Sequence, residues 1–201
     1  MAGIVILRHG QTEWSQSGQH TGRTDIPLTD VGRAAAAALA PQITGHTFAF
    51  VACSPLQRAR ETARLAGLTP DIYSDDLLEW DYGGYEGRTT EEIRRDTHDP
   101  DWVIWNAQIP VGETPGEQPE DVAVRCRRVL TVCEPHLAQG QDVALVAHGH
   151  LLRILTATWL GLEARDGRLF ALATGTVSYL SYEREQHVIG LWNAPGLPAS
   201  D

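Results

Sequence analysis

The chain has 201 residues, of which 42% are hydrophobic and 21% charged, with a formal net charge of −10. That is the balance of a globular protein, long enough for one domain (residues 1–201) with a sizeable core. The acidic excess excludes nucleic acid as a partner, since a phosphate backbone needs a basic face.

Ile4 to Leu7 is a short, wholly apolar, β-branched run, the pattern of a strand buried on both faces in a parallel sheet. Arg8 and His9 follow it directly, and Gly10 ends it. Arg8 also interrupts the N-terminus before a signal-peptide core can form. No apolar stretch is long enough to span a bilayer, so no membrane partner and a cytoplasmic setting are expected. Residues 16–27 read as a loop. Thr29 caps a helix from Asp30 through about Ile43. Phe48 to Cys53 is a second strand. Ser54 as N-cap and Pro55 as first helical residue open a helix through Leu65. Asp71 to Ser74 is a short third strand. Residues 79–88 hold too many glycines for regular structure and too many aromatics for a linker. Thr89 and Glu92 form a capping box opening a short helix. Residues 107–119, with three prolines, are a loop. A long helix follows, with Val122, Cys126, Val129, Leu130, Cys133 and Leu137 on one stripe. Asp142 to Ala147 is another buried strand, His148-Gly149-His150 ends it, and Leu151 to Leu160 is helical. Val177 to Tyr182 and His187 to Trp192 form a terminal hairpin pair. Strands alternating with helices predict an α/β fold, a three-layer α/β/α sandwich with a mostly parallel central sheet. The three cysteines (Cys53, Cys126, Cys133) fit buried thiols in a reducing compartment.

One punctuation occurs three times: an apolar strand, then polar residues, then a helix. It delivers Arg8 and His9, then Arg58, then His148 with Arg153 beyond it. In open α/β sheets, ligands bind at this carboxyl edge of the strands. Arg58 and Arg153 fall near helix N-termini, where the dipole disfavours a cation by roughly 0.3–1 kcal/mol. Cations at two such places point to an anion between them.

These residues carry a resemblance. Leu-Arg-His-Gly-Gln-Thr-Glu-Trp-Ser at 7–15 resembles the signature of the histidine phosphatase superfamily, the phosphoglycerate-mutase-like proteins. Ser54 to Ala63 resembles its second motif. Leu78-Glu79-Trp80-Asp81-Tyr82-Gly83 with Glu86-Gly87 resembles its acid-bearing segment, and Ala147-His148-Gly149-His150 its last. Gln11 to Ser15, Ser17 to Gly22, Glu79 to Tyr82 and Trp102 to Trp105 are most similar to the branch of sedoheptulose bisphosphatase and bacterial acid phosphatases. Ser15 departs from the Asn of many members.

The resemblance implies a metal-independent phosphatase acting on small phosphomonoesters, phosphorylated sugars foremost, with no cofactor. His9 would be the nucleophile, with Arg8, Arg58 and His148 around the phosphoryl oxygens and Glu79 as general acid and base. Ser15, His20, Thr21, Trp80, Asp81, Tyr82, Gly149 and Arg153 would contact substrate, with Arg153 gripping a second phosphate. Homo-oligomer formation is left open.

Four competing readings have specific grounds. His148 and His150 have the chemistry of a metal pair. A cofactor-dependent phosphoglycerate mutase would share the pocket, but mutases carry a longer insert after Tyr85 than the compact 89–119 segment here. A non-catalytic phospholigand-binding module would have no use for both His9 and Glu79. The spacing of Cys53 and Arg58 is one residue short of the loop of cysteine phosphatases.

Overall fold

The computed structural model describes residues 2–197. Six strands form one sheet in the order β3-β2-β4-β1-β5-β6. They are β1 (Ile4–Arg8), β2 (Phe50–Cys53), β3 (Ile72–Tyr73), β4 (Val143–Ala147), β5 (Val177–Glu183) and β6 (Gln186–Ala194). The first four in that order run parallel, and the β5–β6 hairpin closes the far edge antiparallel.

Alternation along the strands separates two apolar layers. Val5, Leu7, Val51 and Cys53 pack with Leu39, Ile43, Ala59 and Ala63 on one face. That face is covered by α2 (Asp30–Ala38), α3 (Ala40–Ile43) and α4 (Gln57–Leu65). Ile4, Ile6, Val143 and Leu145 pack with Val122, Cys126, Val129, Leu151 and Leu155 on the other. There the cover is α6 (Pro119–Leu137) and α7 (Gly149–Trp159). The α/β/α sandwich expected from the alternation of elements is the observed fold. The three cysteines are free and buried, as expected for core thiols. No helix among the described residues is long and apolar enough to cross a membrane.

Register decides where chemistry can occur. Arg8 pairs with Ala147 on β4, and Cys53 with Val146. Three parallel strands therefore end together and bring His9, Ser54 and His148 to one edge.

Several local expectations are corrected. Glu13–Ser17 is a short helix, α1, inside the sequence stretch read partly as loop. Its capping box pairs Thr12 with Ser15 instead of with a Glu or Gln. The alanine helix breaks at Leu39, because Pro41 in the first turn of α3 has no N–H to continue the ladder. Ser54 is not the N-cap of α4: the helix starts at Gln57, and Asp25 from a distant loop accepts the Gln57 N–H at 2.8 Å. Two-residue β3 is shorter than expected, and both its residues are exposed. The segment at 90–97 is helical as read, α5 (Thr90–Thr97), with its capping box in place.

Candidate active site

His9 leaves the end of β1 with its N–H on Ala147 O at 3.0 Å. Its side chain is 5% exposed. Nδ1 lies 2.7 Å from the Gly10 carbonyl, an acceptor, so Nδ1 carries the proton and donates. Nε2 is left with its lone pair. Burial holds the imidazole pKa well below its ordinary value, and the Arg58 and Arg8 charges push it further the same way. The ring is neutral at neutral pH.

His148 stands beside it, with ring centroids 5.1 Å apart. Its Nδ1 accepts from Arg58 Nε at 3.2 Å, and its Nε2–H donates to Ser54 Oγ at 2.7 Å. Burial and then the Arg58 charge hold this imidazole neutral too. Ser54, expected to cap a helix, instead fixes a histidine tautomer across the sheet edge.

Arg58 has no solvent exposure. Nη1 donates to Thr24 O at 2.8 Å, and Nη2 to Gly22 O at 2.9 Å and Thr21 O at 3.3 Å. Arg8 donates through Nη1 to the Leu172 carbonyl, while its buried Nε has no partner. Burial lowers both guanidinium pKa values, and the charge of Glu79 opposes the shift.

Glu79 is buried, but not in an apolar pocket. Its Oε1 accepts from Trp80 N at 2.9 Å and Leu151 N at 2.8 Å, and Oε2 from His150 N at 3.0 Å. His150 and Leu151 belong to the first turn of α7, whose N-cap His148 makes no side-chain cap. A carboxylate from about seventy residues upstream therefore satisfies two orphan donors at a dipole end that favours an anion. Oε1 takes two donors and Oε2 only one, so Oε2 keeps the spare lone pair.

Arg8, His9 and Glu79 face a cavity of about 390 Å³. His20, Thr21, Tyr82 and Ser15 also line it. Ser15 Oγ is held within its own helix cap, 2.8 Å from Thr12 N. His20 is 8% exposed, its Nε2 is buried without a partner, and burial pushes its pKa down to about 4. Tyr82 OH sits 2.6 Å from His150 Nδ1.

Six expected site residues lie outside this lining, among them Arg58 and His148, which the resemblance put around the phosphoryl oxygens and which have no solvent exposure. Trp80 has no exposure and donates its indole N–H to Glu117 O at 2.7 Å, so it belongs to the core. Asp81 turns away, accepting from Gly83 N at 2.9 Å and from the Thr114 hydroxyl. Consecutive side chains in an irregular segment point in different directions, and only packing selects which one faces the cavity. Arg153 donates to Gly167 O at 3.0 Å and Arg168 O at 3.1 Å, with its guanidinium 4.6 Å from the Trp105 ring centroid. It stands behind Trp105, outside the lining. Gly149 meets Arg8 instead: a Cβ there would lie 3.0 Å from Arg8 Cζ.

The sequence reading missed the opposite wall, formed by Val103, Ile104 and Trp105 with Thr90 and Gln19. The signal was there in Ser17 to Gly22 and Trp102 to Trp105, the stretches that carry the branch resemblance, but nothing in the sequence pointed them at the cavity. Among the described residues lining the cavity, Arg8 is the one guanidinium or ammonium.

The model of the histidine phosphatase superfamily, branch 1, matches residues 4–195. The chain is 38% identical over 198 residues to an acid phosphatase of Mycobacterium tuberculosis, covering 96% of this chain and 94% of that one. It is 31% identical over 218 residues to the sedoheptulose 1,7-bisphosphatase of Saccharomyces cerevisiae, covering 92% and 80%. A solved structure of a Mycobacterium tuberculosis open-reading-frame product superposes with a TM-score of 0.88 at 34% identity, covering 96% and 97%. The match extends over nearly the whole described chain and takes in all three strand ends that meet around His9, so the chain belongs to branch 1 of the histidine phosphatase superfamily.

Proposed function

We propose that the protein hydrolyses small phosphomonoesters through a phosphohistidine at His9, without a metal. The observation that carries this reading is the tautomer of His9. Gly10 O holds the proton on Nδ1, and burial beside two arginines keeps Nε2 unprotonated. A neutral imidazole with a fixed, cavity-facing lone pair is a nucleophile at neutral pH.

In the first step, Nε2 attacks phosphorus in line and the ester P–O bond breaks. The leaving oxygen takes a proton from Glu79, whose Oε2 has the free position to carry it. In the second step, water attacks phosphorus, Glu79 takes its proton, and the N–P bond breaks to release phosphate and restore His9. Arg8 supplies cationic donors to the equatorial oxygens, where transition-state charge collects. Arg58 adds charge and the one Nη1 hydrogen that Thr24 O leaves unused. His148 and His150 are poorly placed as a metal pair, since both ring nitrogens of His148 are taken, Nδ1 by Arg58 and Nε2 by Ser54.

The outer cavity suits a hydroxyl-bearing leaving group such as a sugar. Gln19, Thr21 and Thr90 offer polar contacts, and Val103, Ile104 and Trp105 an apolar wall. With Arg153 turned away, this wall gives no grip on a second phosphate, so monophosphates are favoured over bisphosphates. The test is His9→Ala together with acid-quench trapping. The wild type is expected to yield an acid-labile, base-stable phosphoprotein, and His9→Ala to lose both this species and turnover. An active His9→Ala enzyme sinks the reading.

A further inference from the structure

Glu86 lies outside the catalytic group described above, yet its carboxylate takes two backbone donors from one short loop. Gly22 N–H reaches both oxygens at 2.9 Å, and Thr24 N–H reaches Oε1 at 3.0 Å. The carbonyls of the same short loop face the other way. Those of Thr21, Gly22 and Thr24 take the terminal nitrogens of Arg58. Residues 21–24 are thus gripped by a carboxylate through their N–H groups and by a guanidinium through their carbonyls.

The arrangement sets a buried guanidinium and a half-buried carboxylate on opposite sides of one short peptide segment. The peptide group of Thr21 and Gly22 lies between the two charges, its carbonyl on Arg58 and its N–H on Glu86, so its dipole stabilises both. Gly22 is needed at its centre, since a Cβ there would lie 2.5 Å from Trp80 O and 2.6 Å from Glu86 Oε2. Arg58 in turn donates to His148 at 3.2 Å, next to His9. We infer that Glu86 is a positioning residue for phosphoryl transfer: by clamping residues 21–24 it fixes the Arg58 guanidinium, whose one uncommitted Nη1 hydrogen is left for the phosphoryl group. This rests on the phosphatase reading of the cavity. Glu86 touches no reacting atom in this scheme, and its effect is transmitted through Arg58.

The test is a double-mutant cycle of Glu86→Gln and Arg58→Ala. Turnover is read on an aryl phosphate, and orthovanadate binding by calorimetry. The Glu86→Gln side chain keeps its size but loses the charge, and only its amide oxygen can accept. In the wild-type background this substitution should lower kcat/KM by about tenfold or more, the scale of one charged hydrogen bond, and weaken vanadate binding in parallel. In the Arg58→Ala background it should change vanadate affinity less than about twofold, because the group it positions is gone. Equal effects in both backgrounds, or full activity of Glu86→Gln, would overturn the inference. Should Glu86→Gln not fold, hydrogen exchange on the wild type decides. The amides of Gly22 and Thr24 should be strongly protected, although Thr24 is solvent-exposed, and open-loop exchange rates at both would refute the clamp. A wild type that turns over no phosphomonoester would instead refute the underlying reading and leave the exchange result standing.

Discussion

Replacing Gly149 with alanine separates positioning from stability. Gly149 is the first residue of α7, and its φ is not positive, so alanine is conformationally acceptable there. Removing a glycine from the unfolded ensemble stabilises by about 0.4–1 kcal/mol where the backbone permits it. The new methyl group, however, would sit 3.0 Å from Arg8 Cζ, 3.1 Å from Nε and 3.3 Å from Nη2. Ordinary contact begins at 3.4 Å, so the guanidinium must retreat by about 0.4 Å. It cannot swing freely, since Nη1 is bonded to Leu172 O and Nε is buried. A displacement of about 1 Å in an active site can cost 10²-fold. A shift of roughly half that size in the group nearest the phosphoryl oxygens should cost about tenfold in kcat/KM, or about 1.4 kcal/mol. The assay pairs steady-state turnover with thermal unfolding. Gly149→Ala should lose activity and orthovanadate affinity while its Tm is unchanged or higher. Full activity with a raised Tm would show that Arg8 yields without functional cost, and would refute the assignment of this glycine to Arg8 placement.

Three further outcomes are expected. Glu79→Gln should lose far more activity on an alkyl or sugar phosphate than on an aryl phosphate, because a basic leaving oxygen needs the proton most; equal losses in single-turnover phosphorylation would argue against Glu79 as the donor. Stability should fall as pH drops below about 6.5. His20 stays neutral in the fold down to about 4, so between those values the unfolded chain binds the extra proton. The full interval amounts to roughly 3 kcal/mol for His20, with His9, His148 and His150 acting in the same direction, and His20→Gln should flatten the decline in Tm measured across that range. Arg125→Ala should destabilise by about 3 kcal/mol. It breaks the Glu117 pair at 2.7 and 2.8 Å and frees the Asp76 and Leu78 carbonyls that Arg125 holds at 2.9 Å, so a change under about 1 kcal/mol in denaturant unfolding would contradict it.

The strands, their helices and the inner site are legible in the chain alone, because those features are written in short stretches. A fully apolar run followed at once by Arg8 and His9 has one economical reading, and the same pattern at Cys53 and Ala147 repeats it. Parallel pairing then makes equivalent strand ends coincide, so residues far apart in the chain meet without further instruction. The direction of side chains in the irregular segments had no such local rule. Trp80 and Asp81 follow Glu79 directly, yet one is core and the other ties down the loop at 114–117. Arg153 has the composition of an anion site, but two carbonyls and the face of Trp105 claim it. Arg125 interrupts an apolar stripe on α6 as an ordinary polar position would, and in the fold it holds the segment that carries Glu79. Ser54 reads as a helix cap and serves as a histidine partner. In each case a long-range hydrogen bond outweighs a weak local preference, since an unsatisfied buried polar group costs more than a lost cap or propensity contributes. Which of these bonds can form is settled at the assembled sheet edge and nowhere earlier.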